Sequence, residues 1–372
     1  MWRRNLLLTA SVVLAVVLGG PAPARAGGAD EPILGDFNAD GFEDVAVLGS
    51  VSPNLCSTIT QYGSATGVYL PPIVNVYLSP NGSSSPNCPD LGTAVDVDDD
   101  PADELWIGWS QGPPGHLTFN RLVLQPPTFL PSAYYTSTIN RPVLLDTGAF
   151  SRDGRESPYA TGPGGLLSYI IDGSQVTPGP VAYCSVDTPT AQLADWNADG
   201  IESVLLAYTR DCADDSNGVV EIRQDGTVRR LENDPTGRTT WTARVIDADG
   251  DRYPDASTTN QATGEVSHFV NTGAAGGFLL TRAPDANTDR ISLASDKALA
   301  IDVLGNDFTS RDAEVLITNA PRYGTVQVLS DRRILYRPAS GHGQTDRFTY
   351  QLVERGRRSS ATVYLTFPRR SG

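Results

Sequence analysis

Four short stretches of this chain set oxygen-bearing side chains at every second position. They are Asp36-Phe37-Asn38-Ala39-Asp40-Gly41-Phe42-Glu43-Asp44, Asp96-Val97-Asp98-Asp99-Asp100-Pro101-Ala102-Asp103-Glu104, Asp195-Trp196-Asn197-Ala198-Asp199-Gly200-Ile201-Glu202-Ser203 and Asp247-Ala248-Asp249-Gly250-Asp251-Arg252-Tyr253-Pro254-Asp255. A loop that curls around a cation turns alternate side chains inward, so ligands fall at its first, third and fifth positions. Glycine at the sixth permits a sharp turn, a carbonyl at the seventh adds an oxygen, and an acid at the ninth closes the shell. Hard oxygen donors of this kind suit Ca2+, which takes about 6–8 of them. The pattern is not an EF-hand: the twelfth position from Asp36 is Val47, where that loop needs Glu, and an apolar run follows. No His or Cys stands in the loops, which argues against Zn2+.

The loops recur. A worn copy, Gly148-Ala149-Phe150-Ser151-Arg152-Asp153-Gly154-Arg155-Glu156-Ser157, has Ala149 in place of the first acid. The first positions therefore fall at 36, 96, 149, 195 and 247, at intervals of 60, 53, 46 and 52 residues. A lone Asp-Gly loop is only a good turn. Five in register, feeding apolar runs such as residues 45–48, 105–107 and 204–206, require a shared architecture. A period near 50 with about four short strands per unit fits a β-propeller blade, and no long amphipathic helical periodicity competes.

The chain has 372 residues and a net charge of −15, carried by 43 acids against 28 bases. Residues 27–283 hold −21 of it, whereas residues 284–372 carry +3. So acidic a surface repels the phosphates of nucleic acid. Three His leave little material for His-based catalysis. Residues 1–26 read as a secretory signal: Arg3 and Arg4, an apolar run over 6–18, then Ala24-Arg25-Ala26 before Gly27. No later segment approaches 18 apolar residues, so no membrane span is expected after cleavage. Four cysteines, Cys56, Cys88, Cys184 and Cys212, favour disulfides in an exported chain, with three pairings open.

The repeated loop and its strand resemble the FG-GAP and VCBS family of integrin-like propeller blades over residues 30–283. The resemblance implies an all-β fold, a five-bladed β-propeller followed by a small β-sandwich, with Ca2+ in the loops. Carried onto this sequence, the first site is Asp36, Asn38, Asp40 and Asp44 with the Phe42 carbonyl. The second is Asp96, Asp98, Asp100 and Glu104 with the Ala102 carbonyl, with Pro101 where the family prefers Gly. The third is Asp195, Asn197 and Asp199 with the Ile201 carbonyl, where Ser203 replaces the closing acid and weaker binding follows. The fourth is Asp247, Asp249, Asp251 and Asp255 with the Tyr253 carbonyl. The worn copy should hold no metal. In blade register, Cys56 and Cys212 follow a unit's second strand, while Cys88 and Cys184 precede a first strand. That arrangement implies the pairs Cys56–Cys88 and Cys184–Cys212.

From residue 284 the acidic loops stop. The runs Val303-Leu304-Gly305-Asn306-Asp307, Gly324-Thr325-Val326, Tyr336-Arg337-Pro338 and Phe348-Thr349-Tyr350 are similar to the Ig-like and cadherin-like repeats of bacterial surface proteins, which implies a small sandwich over 284–372. The expected function is a secreted, calcium-stabilised binding or adhesion module that meets a glycan or protein through the propeller's loop face. The alternative is a polysaccharide-acting enzyme, a glycosidase or lyase. Acids outside the loops that could serve it are Asp172, Asp187, Glu221, Glu232 and Asp234, with Trp106, Trp109, Trp196 and Trp241 as candidate sugar platforms. No nucleophile motif or acid pair stands out.

Overall fold

The computed structural model describes residues 27–28 and 31–368, apart from 53, 80–87, 97–99, 111–118, 127–128, 138, 140–141, 152–154, 173–174, 272–279 and 342. The signal-like segment, Asp98 and Asp153 thus lie outside the described residues. The described chain is all β. Five antiparallel meanders follow one another, and in each the acidic or worn loop joins the first strand to the second. Their strands are Ile33–Gly35, Asp44–Ser52, Leu55–Gln61 and Ile73–Leu78 in the first sheet, and Leu91–Val95, Glu104–Gly108, Phe119–Gln125 and Leu130–Ser137 in the second. The third has Leu144–Gly148, Ser157–Gly162, Gly165–Asp172 and Gln175–Tyr183, with Gly27–Gly28 added at its edge. Thr190–Ala194, Ser203–Tyr208, Asn217–Ile222 and Val228–Asp234 make the fourth. Trp241–Ile246, Asp255–Asn260, Val266–Asn271 and Leu280–Arg282 make the fifth.

Side chains alternate across a strand, and here both faces are apolar. In Ser203–Tyr208, Val204, Leu206 and Tyr208 pack against the third sheet, while Leu205 and Ala207 pack against the fifth. In the second sheet, Leu105 and Ile107 meet Ile33, Ala46 and Tyr77 of the first, while Trp106 meets Leu145 and Tyr169 of the third. Among the described residues, every core cluster of this region is therefore a seam between consecutive sheets, and no sheet has a core of its own.

The repeat leads to an expectation of five blades, and five antiparallel sheets stand at the repeats. The described packing does not include a seam that would close them into a ring. The outer face of the first sheet carries Val47, Ile59, Val74, Val76 and Leu78 at 37–75% exposure. The fifth sheet instead meets the C-terminal module, where Ala283 leads directly into it. His268 Nδ1 lies 2.7 Å from Glu354, and the Arg311 amide donates to the Ala248 carbonyl at 2.8 Å.

The C-terminal module is a two-sheet sandwich. Asp289–Ser292 runs parallel to Arg357–Thr366, which pairs on with Thr345–Glu354 and Glu314–Asn319. Leu299–Ile301, Ile334–Pro338 and Gly324–Val328 form the second sheet. Tyr336, Phe348, Tyr350 and Val363 are at its centre. The buried tyrosine hydroxyls find acids: Tyr336 donates to Asp346 at 2.8 Å and Tyr350 to Asp307 at 2.6 Å.

Both expected disulfides form. Cys56–Cys88 ties the first sheet to the entry of the second, with Cα atoms 5.4 Å apart, and Cys184–Cys212 ties the entry of the fourth to that sheet's own hairpin at 5.6 Å. Their separations of 32 and 28 residues set the loop entropy that each removes from the unfolded chain. Replacing Cys184 and Cys212 by Ala should lower unfolding stability by about 3.5 kcal/mol in a denaturant titration. A loss under ~1 kcal/mol would show that the bridge constrains little.

Candidate metal centre

Three of the four loops share one backbone, and all four share one side-chain bond. In the first, third and fourth loops residues four and six lie in the left-handed region: Ala39 (φ 59°) and Gly41 (81°), Ala198 (55°) and Gly200 (83°), Gly250 (92°) and Arg252 (77°); the second departs, since its sixth residue is Pro101, whose ring keeps φ negative. Glycine enters this region freely; Ala and Arg there are held by their surroundings. The side chains supply that hold. Oδ1 of the fifth residue accepts the amide of the seventh in every loop: Asp40 from Phe42 (2.9 Å), Asp100 from Ala102 (2.8 Å), Asp199 from Ile201 (3.0 Å) and Asp251 from Tyr253 (2.8 Å). Asp36 and Asp195 each accept the amides of residues five and six, the latter from Gly41 and Gly200 at 2.8 Å. Asn38 and Asn197 bridge to the fifth acid through their amide nitrogens.

The ninth residue is the hub. Asp44 is fully buried; its oxygens accept Phe37 N–H at 2.8 Å and Gly63 N–H at 2.7 Å. Asp255, equally buried, accepts Ala248 N–H at 2.7 Å and Asn271 N–H at 2.8 Å. In each case one oxygen closes the loop and the other fastens it to the sheet's third strand or the turn after it. Burial raises both carboxyls, that of Asp255 to about 6, with Asp249 and Asp251 adding repulsion. Glu104 and Ser203 occupy the same position and are also buried.

Among the described residues, one group of three acids converges. Oxygens of Asp247, Asp249 and Asp255 lie within 4.8 Å of one another. Burial and the neighbouring Asp251 and Asp247 raise Asp249 as well. Carboxylates this close repel unless a cation or proton neutralises them. Each accepting oxygen keeps a second lone pair, so the bonds to backbone amides do not exclude a ligand role. Arg311 of the C-terminal module sits against Gly250 with its guanidinium 3.5 Å from Asp247, a partial neutralisation from outside. The first and third loops set an Asn at the third position, so fewer charges converge there. Asp96 and Asp100 of the second loop flank the undescribed Asp98.

Sequence reasoning missed the eighth residue. Asp103 donates its amide to the Asp36 carbonyl at 2.8 Å and accepts the Asp36 amide on Oδ2 at 2.7 Å. Glu202 does the same to Ala149, at 2.7 and 2.9 Å. Each acid thus clasps the first residue of the preceding sheet's loop. The signal was legible, since an acid stands at position eight in every repeat but the last, where Pro254 replaces it.

The acids offered for an enzyme are largely spent. Asp187 pairs with Arg210, Glu221 with Arg223 (2.9 Å) and Glu232 with Arg282, while Asp234 caps Thr236 and Thr239. Asp172 ends its strand. Trp106, Trp109 and Trp196 are buried in the seams, and Trp241 packs against the seam between the fourth and fifth sheets. A different acid stands out. Asp146, 4% exposed on the first strand of the third sheet, accepts the Tyr159 hydroxyl at 3.0 Å. Burial pushes it up to about 7, with Glu156 and Glu202 adding to the shift. It lies between sheets, out of reach of a substrate. In the C-terminal module burial likewise raises Asp289 to about 7 and Asp307 to about 6.

Two predictions follow from these contacts. Asp44→Ala orphans two buried amides and should cost about 3 kcal/mol in chelator, against under ~0.5 kcal/mol for the exposed Asp40→Asn, by urea unfolding. Asp146 holds a proton when folded that it loses in the unfolded chain, so its effect favours folding at low pH and fades as pH rises through 7. Wild type should therefore lose on the order of 2 kcal/mol more than Asp146→Asn between pH 5 and pH 8, by parallel melts at each pH.

Residues 281–366 match the family model described as a bacterial Ig domain. No curated protein matches the chain. Among solved structures, an Agrocybe aegerita lectin described for specific recognition of non-reducing terminal N-acetylglucosamine is similar at 11% identity and a TM-score of 0.40, covering 88% of this chain and 77% of the lectin. The rhamnogalacturonan lyase YesW is similar at 12% identity and a TM-score of 0.39 over 70% of this chain, which spans 54% of that lyase.

Proposed function

We propose that the chain is a secreted binding protein whose five-sheet region is an FG-GAP/VCBS array stabilised by Ca2+. The recurring loop backbone carries this reading, above all the convergence of Asp247, Asp249 and Asp255. Ca2+ fits the donor set: carboxylates, a seventh-position carbonyl and no nitrogen or sulfur. The fourth loop binds most tightly, the first and third more weakly through Asn38 and Asn197. In this reading the blades form a propeller-type scaffold that stays open between its first and fifth sheets, because the C-terminal module already occupies the fifth. The loop face then meets a glycan or protein. Export is supported by the signal-like start and by two disulfides. Against the enzyme alternative, Asp187, Glu221 and Glu232 pair with arginines and Asp234 caps its own turn.

Calorimetric melts of the purified protein in Ca2+ and in chelator test the reading. At 100 times its Kd, one bound cation should stabilise by about 2.7 kcal/mol. Asp247→Asn/Asp249→Asn should abolish most of that gain while leaving the chelator melt unchanged or raised, because it relieves repulsion. Equal melts with and without Ca2+ would overturn the calcium reading.

A further inference from the structure

A cleft of about 780 Å³ opens on the C-terminal module, far from any acidic loop in composition: three of its lining residues are Arg. Strand register sets out its floor. Tyr364 stands between Arg290 on the parallel strand and Arg347 on the antiparallel one. The next row on the same face is Ser292, Thr366 and Thr345. All six side chains belong to exposed or half-buried residues of the outer sheet face. Arg322 and Tyr323 form a wall, with the guanidinium 5.0 Å from that ring; Arg290 is 5.7 Å from the Tyr364 ring.

The charge of this cleft is not balanced from within. Its one acid, Asp346, is buried and turned inward. Its oxygens accept the amides of Arg322, Tyr323 and Arg347 at 2.9 Å and the Tyr336 hydroxyl at 2.8 Å. Among the described residues none of Arg290, Arg322 or Arg347 forms an ion pair. Elsewhere Arg210, Arg223, Arg282, Arg333 and Arg355 pair with acids, and the other unpaired arginines among the described residues do not gather in one cleft. Three unpaired guanidiniums gathered in one cleft of a chain of charge −15 need a ligand to explain them better than chance does.

The geometry points to a binding site for an acidic polysaccharide, one bearing carboxylates on its sugar rings. Two guanidiniums flank Tyr364 across two strand spacings, roughly 10 Å. They suit separated carboxylates, which a guanidinium fork grips bidentately. The tyrosine between them offers a flat apolar face to a sugar ring, and the hydroxyl row beside it matches sugar hydroxyls. An open floor on a sheet face admits a chain in passing rather than an enclosed metabolite. The site is independent of the acidic loops and of their cation.

Titration calorimetry of the purified protein with oligogalacturonates tests the site, with the fully methyl-esterified oligomers as neutral control and phosphatidylglycerol vesicles as a second anionic surface. The acid form should bind, the ester should bind at least tenfold more weakly, and added salt should weaken only the acid. Arg290→Gln/Arg347→Gln and, separately, Tyr364→Ala should each weaken binding tenfold or more with an unchanged melting temperature, since these side chains are exposed. No binding of the acid form, equal binding of the ester, full binding by the melting-competent variants, or capture by vesicles in preference to the oligosaccharide would each overturn the proposal.

Discussion

A β-sheet that is apolar on both faces cannot stand in water alone, and in this chain that constraint organises residues 31–283. Each of the second, third and fourth sheets lends one set of alternating side chains to the sheet before it and the other set to the sheet after, while the first and fifth sheets each share one seam. Trp106 and its neighbours Leu105 and Ile107 point to different seams although they are consecutive in the chain. Stability is thus shared between neighbours, as in other repeat architectures. The seams need sheets held at a fixed angle and height. The loops between first and second strands supply that, through Asp44 or Asp255 within a sheet and through Asp103 or Glu202 between sheets.

These loops ask two things of their acids. Carboxylates that accept buried amides are worth more than neutral partners would be, so the ninth residue organises the backbone whatever else is bound. The same carboxylates, drawn together, repel. In the fifth repeat Asp247, Asp249 and Asp255 carry that repulsion furthest, and Arg311 approaches from the next module to relieve part of it. In the reading proposed above, a cation would complete what the amides begin. The C-terminal module inverts the electrostatics: its exposed sheet face gathers unpaired guanidiniums and tyrosines, where the repeats gather acids.

Much of this was legible in the sequence because the features are local. The loop spacing fixed where each sheet begins, and the cysteine positions relative to it were enough to pair all four correctly. Strand content followed from alternation and turn residues. Ring closure was not legible, because it depends on what faces the outer sides of the first and last sheets. Val47, Ile59, Val74, Val76 and Leu78 read like any buried strand residues, yet they face solvent. The contact between His268 and Glu354 could not be read either, since the two are 86 residues apart. Asp146 was hidden inside an apolar strand, and only the seam between the third and fourth sheets gives it a raised pKa. The row Arg290, Tyr364, Arg347 was not legible either, because Arg290 joins it from a strand more than 50 residues before the other two.

The central claim is that the loops are framed by their own buried acids before any cation arrives. Hydrogen exchange at the amides of Phe37, Gly63, Ala248 and Asn271, followed in chelator and again in Ca2+, tests it most directly. The account predicts strong protection of all four in chelator, with Ca2+ slowing exchange further around Ala248 more than around Phe37. Exchange of these amides at unstructured rates in chelator, with protection appearing only in Ca2+, would contradict it and make the cation, not the carboxylates, the organiser of the fold.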